Sequence, residues 1–110
     1  MADRGHPVEV ELRKVIRTVL SLTCETNTDL GRAIGLSGAL VGRRLSGTTQ
    51  WSVPELGKIA THWGIPPSCL LSDLSDVLTA LPEDRVAQLR AAKGHQPVHF
   101  KPPVTAVVAA

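Results

Sequence analysis

Apolar residues Val8, Leu12, Val15, Ile16, Val19 and Leu20 recur three and four positions apart, the spacing that lines one face of an α-helix. Pro7 can open this helix, because a first-turn proline gives up no needed N–H. Glu9 and Glu11 sit toward the positive end of the helix dipole, and Arg13, Lys14 and Arg17 follow toward the other end. The pattern predicts a helix from Pro7 to near Leu22, after a frayed start over residues 1–6. Thr26 can cap a second helix, and Asp29 three positions on can reach back to it. Leu30 and Ile34 form that helix's buried stripe. Gly35 stops it, since a left-handed residue is wanted just past a helix end. Ser37 caps a third helix with apolar positions Leu40, Val41 and Leu45, terminated by Gly47.

After the polar link Thr48-Thr49-Gln50-Trp51, the stretch Ser52-Val53-Pro54-Glu55 reads as a second capping box. Leu56, Ile59, Ala60 and Trp63 point inward from the helix it opens, and Gly64 ends it. Ile65-Pro66-Pro67-Ser68 turns the chain into a short helix carrying Cys69, Leu70 and Leu71. Beyond Ser72, Leu74, Val77, Leu78 and Leu81 make a fresh stripe, and Pro82-Glu83-Asp84 opens a last amphipathic helix from Val86 to about Lys93, closed by Gly94. Residues 95–110 hold three prolines and no helical period, so a flexible, irregular tail is expected, with one strand-like stretch over Val104–Val108. The fold class is therefore all-α.

Composition narrows the function. A chain of 110 residues has room for one small domain, not for a large catalytic cleft between domains. Aromatic residues are 3% of the chain, so the core must be aliphatic. No stretch approaches the roughly 20 apolar residues that span a bilayer, and the start has no apolar signal-peptide core, so a cytoplasmic protein without membrane contact is expected. Cys24 and Cys69 lack CxxC spacing and read as reduced, partly buried thiols. The histidines His6, His62, His95 and His99 show no metal-ligand spacing with them; no metal and no cofactor is expected. No nucleophile–base pair is evident, so an enzyme is not expected. A net charge of +2 does not by itself indicate a nucleic-acid partner, and the distribution of charge has to carry that argument.

Residues 27–46 read helix, tight glycine turn, helix. Gly35 permits the corner, Leu36 plugs the angle, Ser37 caps the second helix, Gly31 lets the two helices approach, and Val41 faces back into the first. This is the layout of a helix-turn-helix, whose second helix lies in the major groove of DNA. With Pro54-Glu55-Leu56, Ile59-Ala60, Gly64-Ile65 and Leu70-Leu71 at their distances downstream, the stretch from Asn27 to Leu71 resembles the lambda-repressor-like, Cro/C1-type (XRE) helix-turn-helix family. The resemblance implies a compact five-helix helix-turn-helix domain over about residues 1–72, followed by one or two C-terminal helices over 73–94 and the irregular tail over 95–110. It also implies a phage or prokaryotic transcription repressor that binds operators as a dimer.

Departures from the family pattern matter. Its second helix usually opens with Gln; Asn27 is shorter but can still bond a phosphate, beside Thr28. Its recognition helix usually begins with polar base readers, where this chain has Gly38 and Ala39. Gly38 and Gly42 each cost about 1 kcal/mol of helix stability relative to Ala. Two accounts stay open: close approach of backbone to the duplex, with Ala39 on a thymine methyl, or tight packing of Gly42 on the neighbouring helix. Arg43 lies four beyond Ala39 on the outward face and is the base-reading candidate. Arg44 lies about 60° from the buried Val41 and reaches a phosphate or an acidic neighbour. Ser37, Ser46, Thr48, Thr49 and Gln50 suit phosphate bonding around the ends of that helix. Trp51 packs on the core edge or against the sugar-phosphate backbone, the first being preferred.

The expected function is sequence-specific binding of double-stranded DNA by a cytoplasmic, nucleoid-associated transcriptional repressor that excludes polymerase from an operator. A homodimer on a palindromic site is expected. Leu74, Val77, Leu78, Leu81, Val86 and Leu89 are the candidate dimerisation residues, with closure of the monomer's own core as the competing account. The alternatives are an antitoxin that grips a protein partner through the C-terminal tail, and an interaction adaptor that kept the fold without binding DNA.

Overall fold

The computed structural model describes residues 7–94. The readings of residues 1–6 and 95–110, including His6, His95, His99 and the strand-like stretch over 104–108, lie outside the described residues. The chain forms α1 (Pro7–Thr23), α2 (Asn27–Ile34), α3 (Gly38–Ser46), α4 (Val53–Trp63), a short 3-10 helix (Pro67–Leu71), α5 (Leu74–Ala80) and α6 (Glu83–Ala92), with no strand among the described residues. The class is all-α.

Local chemistry sets the boundaries. The Thr26 hydroxyl accepts from the Asp29 N–H and the Asp29 carboxylate accepts from the Thr26 N–H, closing the capping box of α2. Ser37 accepts from the Leu40 N–H, and Ser52 and Glu55 repeat the reciprocal box at α4. α2 and α3 stop at Gly35 (φ 83°) and Gly47 (φ 87°), left-handed positions that a Cβ disfavours. α5 is capped by Asp73, whose carboxyl is held below its ordinary value by the Asp76 N–H and the Ser75 hydroxyl.

α1 runs through the centre, with Val15, Ile16 and Val19 fully buried. Leu30 and Ile34 of α2, Val41 and Leu45 of α3, and Ile59, Ala60 and Trp63 of α4 belong to the same buried cluster. Val77 of α5, Leu81 just past its end and Leu89 of α6 complete the same core. Each fully buried aliphatic side chain there contributes about 1.5–3 kcal/mol.

Of the apolar positions of α3, Leu40 is 38% exposed, because it precedes the buried Val41 by one position and so lies about 100° round the helix. One expectation needs correction. α6 is not an ordinary amphipathic helix. Of its residues only Leu89 is buried, Val86 is half-buried against the core, and several further ties are cationic. Arg85 Nε donates to the His62 carbonyl at 2.6 Å, Arg90 Nη1 donates to the Leu22 carbonyl at 3.0 Å, and Lys93 Nζ lies 2.8 Å from Asp29 Oδ2.

The α2–α3 corner depends on missing side chains. A Cβ at Gly31 would lie 2.3 Å from the Leu36 carbonyl oxygen, and one at Gly38 would lie 2.5 Å from Thr28 Oγ1. At Gly42 the nearest such atom, Asn27 Nδ2, is 3.6 Å away, an ordinary contact. Gly31→Ala is therefore expected to destabilise the fold by about 1–3 kcal/mol through overpacking against backbone. Gly42→Ala should stabilise it by about 0.5–1 kcal/mol through helix propensity. Urea denaturation of the two variants checks this ordering.

Candidate nucleic-acid interface

The corner aims α3 by turning Val41 and Leu45 inward, which leaves Ala39, Arg43 and Ser46 on the outer side, all exposed. The Arg43 guanidinium makes no ion pair among the described residues. Asn27 and Thr28, also exposed, stand beside this face, because Thr28 packs on Gly38 and Asn27 reaches Gly42. The candidates from α2 and α3 are thus brought to one side of the molecule. Gly38 is the position where the close helix contact demands glycine. Gly42, to which tight packing was one of two assigned roles, leaves room for a Cβ.

The polar run after α3 wraps onto its last turn. Thr48 and Thr49 N–H groups both donate to the Arg43 carbonyl, at 3.0 and 3.3 Å. Ser46 Oγ donates to the same carbonyl and lies 3.0 Å from Thr48 Oγ1. Thr49 and Gln50 are exposed beside them, and Ser37 is exposed at the opposite end of the helix. Trp51 packs half-buried on the core, with its Nε1 buried and without a partner among the described residues.

Arg44 takes the acidic neighbour of its two candidate partners. Nε donates to Glu55 Oε1 at 2.8 Å and Nη2 to Oε2 at 3.0 Å, a bidentate pair. Glu55 is the carboxylate of the α4 capping box, so one side chain ties the end of α3 to the start of α4. Burial pushes the Glu55 carboxyl up, but the bonds from Arg44 and Ser52 outweigh it and hold it below its ordinary value.

Sequence reasoning missed three features. Arg17, read only as a helix-dipole cation, donates to the Leu45 carbonyl at the end of α3. With Ser21, Asn27, Gly42 and Ser46 it lines an open groove of about 470 Å³ along the flank of α3, with Leu20, Glu25 and Leu45 as the remaining wall. Glu25, in the link between α1 and α2, is a buried node. It accepts from Thr23 Oγ1 at 2.7 Å and from Trp63 Nε1 at 2.9 Å, and lies 2.6 Å from His62 Nε2. Burial raises its pKa, yet the bonds from His62, Trp63 and Thr23 prevail and the net shift is downward. The third is the tie of Lys93 to Asp29, whose carboxyl is held down to about 2 by Lys93 first and then by the capping N–H of Thr26. None of these contacts repeats at a helical spacing, so periodicity carried no signal for them.

Of the stripe assigned to dimerisation, Val77, Leu81 and Leu89 are buried in the chain's own core and Leu74 and Val86 are half-buried against it. Leu78 is 43% exposed, near the 55% exposed Leu71 in sequence. Among the described residues no group of three or more His, Cys, Asp or Glu could hold a metal ion, and no helix is long and apolar enough to cross a membrane.

A protein-family model described as BetR domain matches residues 8–108. No curated protein and no solved structure matches the chain.

Glu25 and Glu55 titrate below their ordinary 4.5, and Asp29 falls from 3.8 to about 2. Groups whose folded pKa is depressed contribute stability that is full above the unfolded value and is lost as pH falls through the folded one. Melting temperature followed by circular dichroism should therefore drop as pH falls from about 4.5 toward 2. Glu25→Gln should lower it at neutral pH and flatten that acid slope.

Proposed function

Since the chain belongs to the BetR domain family, a helical, helix-turn-helix-like DNA-binding family, we propose that it is a sequence-specific transcriptional regulator, acting as a repressor by occupying an operator in double-stranded DNA. The observation that carries this reading is the outer face of α3. Arg43 is exposed there and has no ion pair among the described residues, while its neighbour Arg44 is drawn into the fold by Glu55. A solvated pair of arginines would not need that division. Bidentate contact of Arg43 with a guanine edge would discriminate by about 1–3 kcal/mol. Asn27 and Thr28 on one side, and Ser46, Thr48, Thr49 and Gln50 on the other, would meet the phosphates that bound the groove.

In this reading the helix-turn-helix is of the Cro- and C1-like kind, and no chemistry is performed; occupancy alone excludes polymerase. One such module makes few base contacts, so a homodimer on a palindromic operator would supply the affinity. Leu78 is the exposed member of the α5 stripe that would be open for that contact, and Leu71 of the preceding 3-10 helix is exposed as well.

Selection of bound sites from random duplex DNA tests the reading. Wild type should enrich a two-fold symmetric motif. Arg43→Ala should keep the wild-type melting temperature, bind about tenfold or more weakly and lose preference at one position of each half-site. A wild type that enriches no sequence would remove the proposal's support, and Arg43→Ala enriching an unchanged motif at equal strength would remove Arg43 from it.

A further inference from the structure

A duplex seated on the outer face of α3 must pass a strand over the first turn of α2, because Asn27 and Thr28 border that face through Gly42 and Gly38. This turn carries a charge that opposes such a strand. Asp29 is the residue after Thr28, and its carboxylate is tied to the helix end, because Oδ2 accepts from the Thr26 N–H at 2.8 Å and so caps the helix. The cap that makes α2 thus sets a negative charge where phosphates would lie.

The opposite charge comes from the far end of the chain. Lys93, just past the end of α6, places Nζ 2.8 Å from the same Asp29 Oδ2. Arg32 also approaches, at 3.5 Å from Oδ1, but its side chain is 73% exposed against 35% for Lys93, so Lys93 is the held counter-charge. The depressed Asp29 carboxyl agrees with this.

We propose that Lys93 is a charge-compensating, positioning residue for DNA binding: it neutralises the capping carboxylate of Asp29, so that a phosphate backbone can be drawn across Asn27 and Thr28. The proposal rests on the DNA-binding reading above. It makes the C-terminal helix part of the interface without touching the duplex, and it separates two roles by sign. If the pair only held α6 in place, losing either partner would weaken binding. If Lys93 compensates Asp29, losing Lys93 weakens binding and losing the Asp29 charge strengthens it.

The test is fluorescence anisotropy with a short random-sequence duplex at low salt, on the full chain, with melting curves to confirm folding. Lys93→Met should bind about two- to fivefold more weakly, the scale of one charge acting over several ångströms in water-like dielectric. Asp29→Asn keeps a carbonyl oxygen for the Thr26 N–H and should bind tighter by a similar factor. The double variant should return to the wild-type level, and Lys93→Arg should match wild type. The proposal is overturned if Asp29→Asn weakens binding, if the double variant binds as weakly as Lys93→Met, which would make Lys93 a direct phosphate contact, or if all variants bind like wild type. A folded wild type that holds no duplex at low salt would sink the DNA-binding reading itself, and this proposal with it.

Discussion

The exposed side of α3 is placed by a contact of backbone on backbone at the α2–α3 corner. The Leu36 carbonyl lies against the Cα of Gly31, whose own carbonyl accepts from the Leu36 N–H at 2.8 Å. Thr28 lies equally close to Gly38 at the start of the next helix. With no Cβ in either gap, the two helices cross at short range and the angle has little freedom. Val41 and Leu45 must then enter the core, and residues 39, 43 and 46 must face out. The outward Arg43 is thus a consequence of two glycines that do not themselves lie on the outer face. An added methyl at Gly31 meets backbone, which cannot swing aside as a side-chain tip can, so the corner tolerates less than an ordinary core position.

Charged side chains then hold what the corner aims. Arg17 closes on the last turn of α3 from α1, and Arg44 closes on the first turn of α4. Arg85 and Arg90 bind backbone carbonyls at the ends of α4 and α1. A net charge of +2 suggested little about partners, since it says nothing of how the basic residues are spent. Most of those named here are engaged inside the fold, and Arg43 stands out by being left over.

Much of this is legible in the sequence. The capping residues Thr26, Ser37 and Ser52 and the stops at Gly35 and Gly47 act within a few positions of themselves, so local rules reach them. The inward stripe of α4 followed from a spacing of three and four. The features that escaped are those joined across the chain. Glu25 meets His62 and Trp63 at separations of 37 and 38 residues, and Arg90 meets Leu22 at 68. Nothing in the spacing of a lone glutamate announces such a partner. The two open accounts of Arg44 were settled by Glu55, eleven residues on, a residue already assigned to a cap and so not sought as an ion-pair partner. Gly42 was suspected of close packing and Gly38 has it, because the crossing point along α3 is a tertiary quantity that helix propensity does not encode.

The relative strength of contacts decides what the C-terminal helix is for. A partly exposed ion pair such as Lys93–Asp29 contributes about 0–1 kcal/mol to stability. Burying Leu89, by contrast, contributes about 1.5–3 kcal/mol, and Val86 adds to it. α6 is therefore held mainly by Leu89 and by the carbonyl contacts of Arg85 and Arg90, and would stay docked without Lys93. A side chain that adds so little to holding its own helix, yet is set against the capping carboxylate of α2, would have its larger effect in the local field. A phosphate strand crossing the first turn of α2 would feel the sum of the two charges rather than either alone, and that sum depends on α6 being in place.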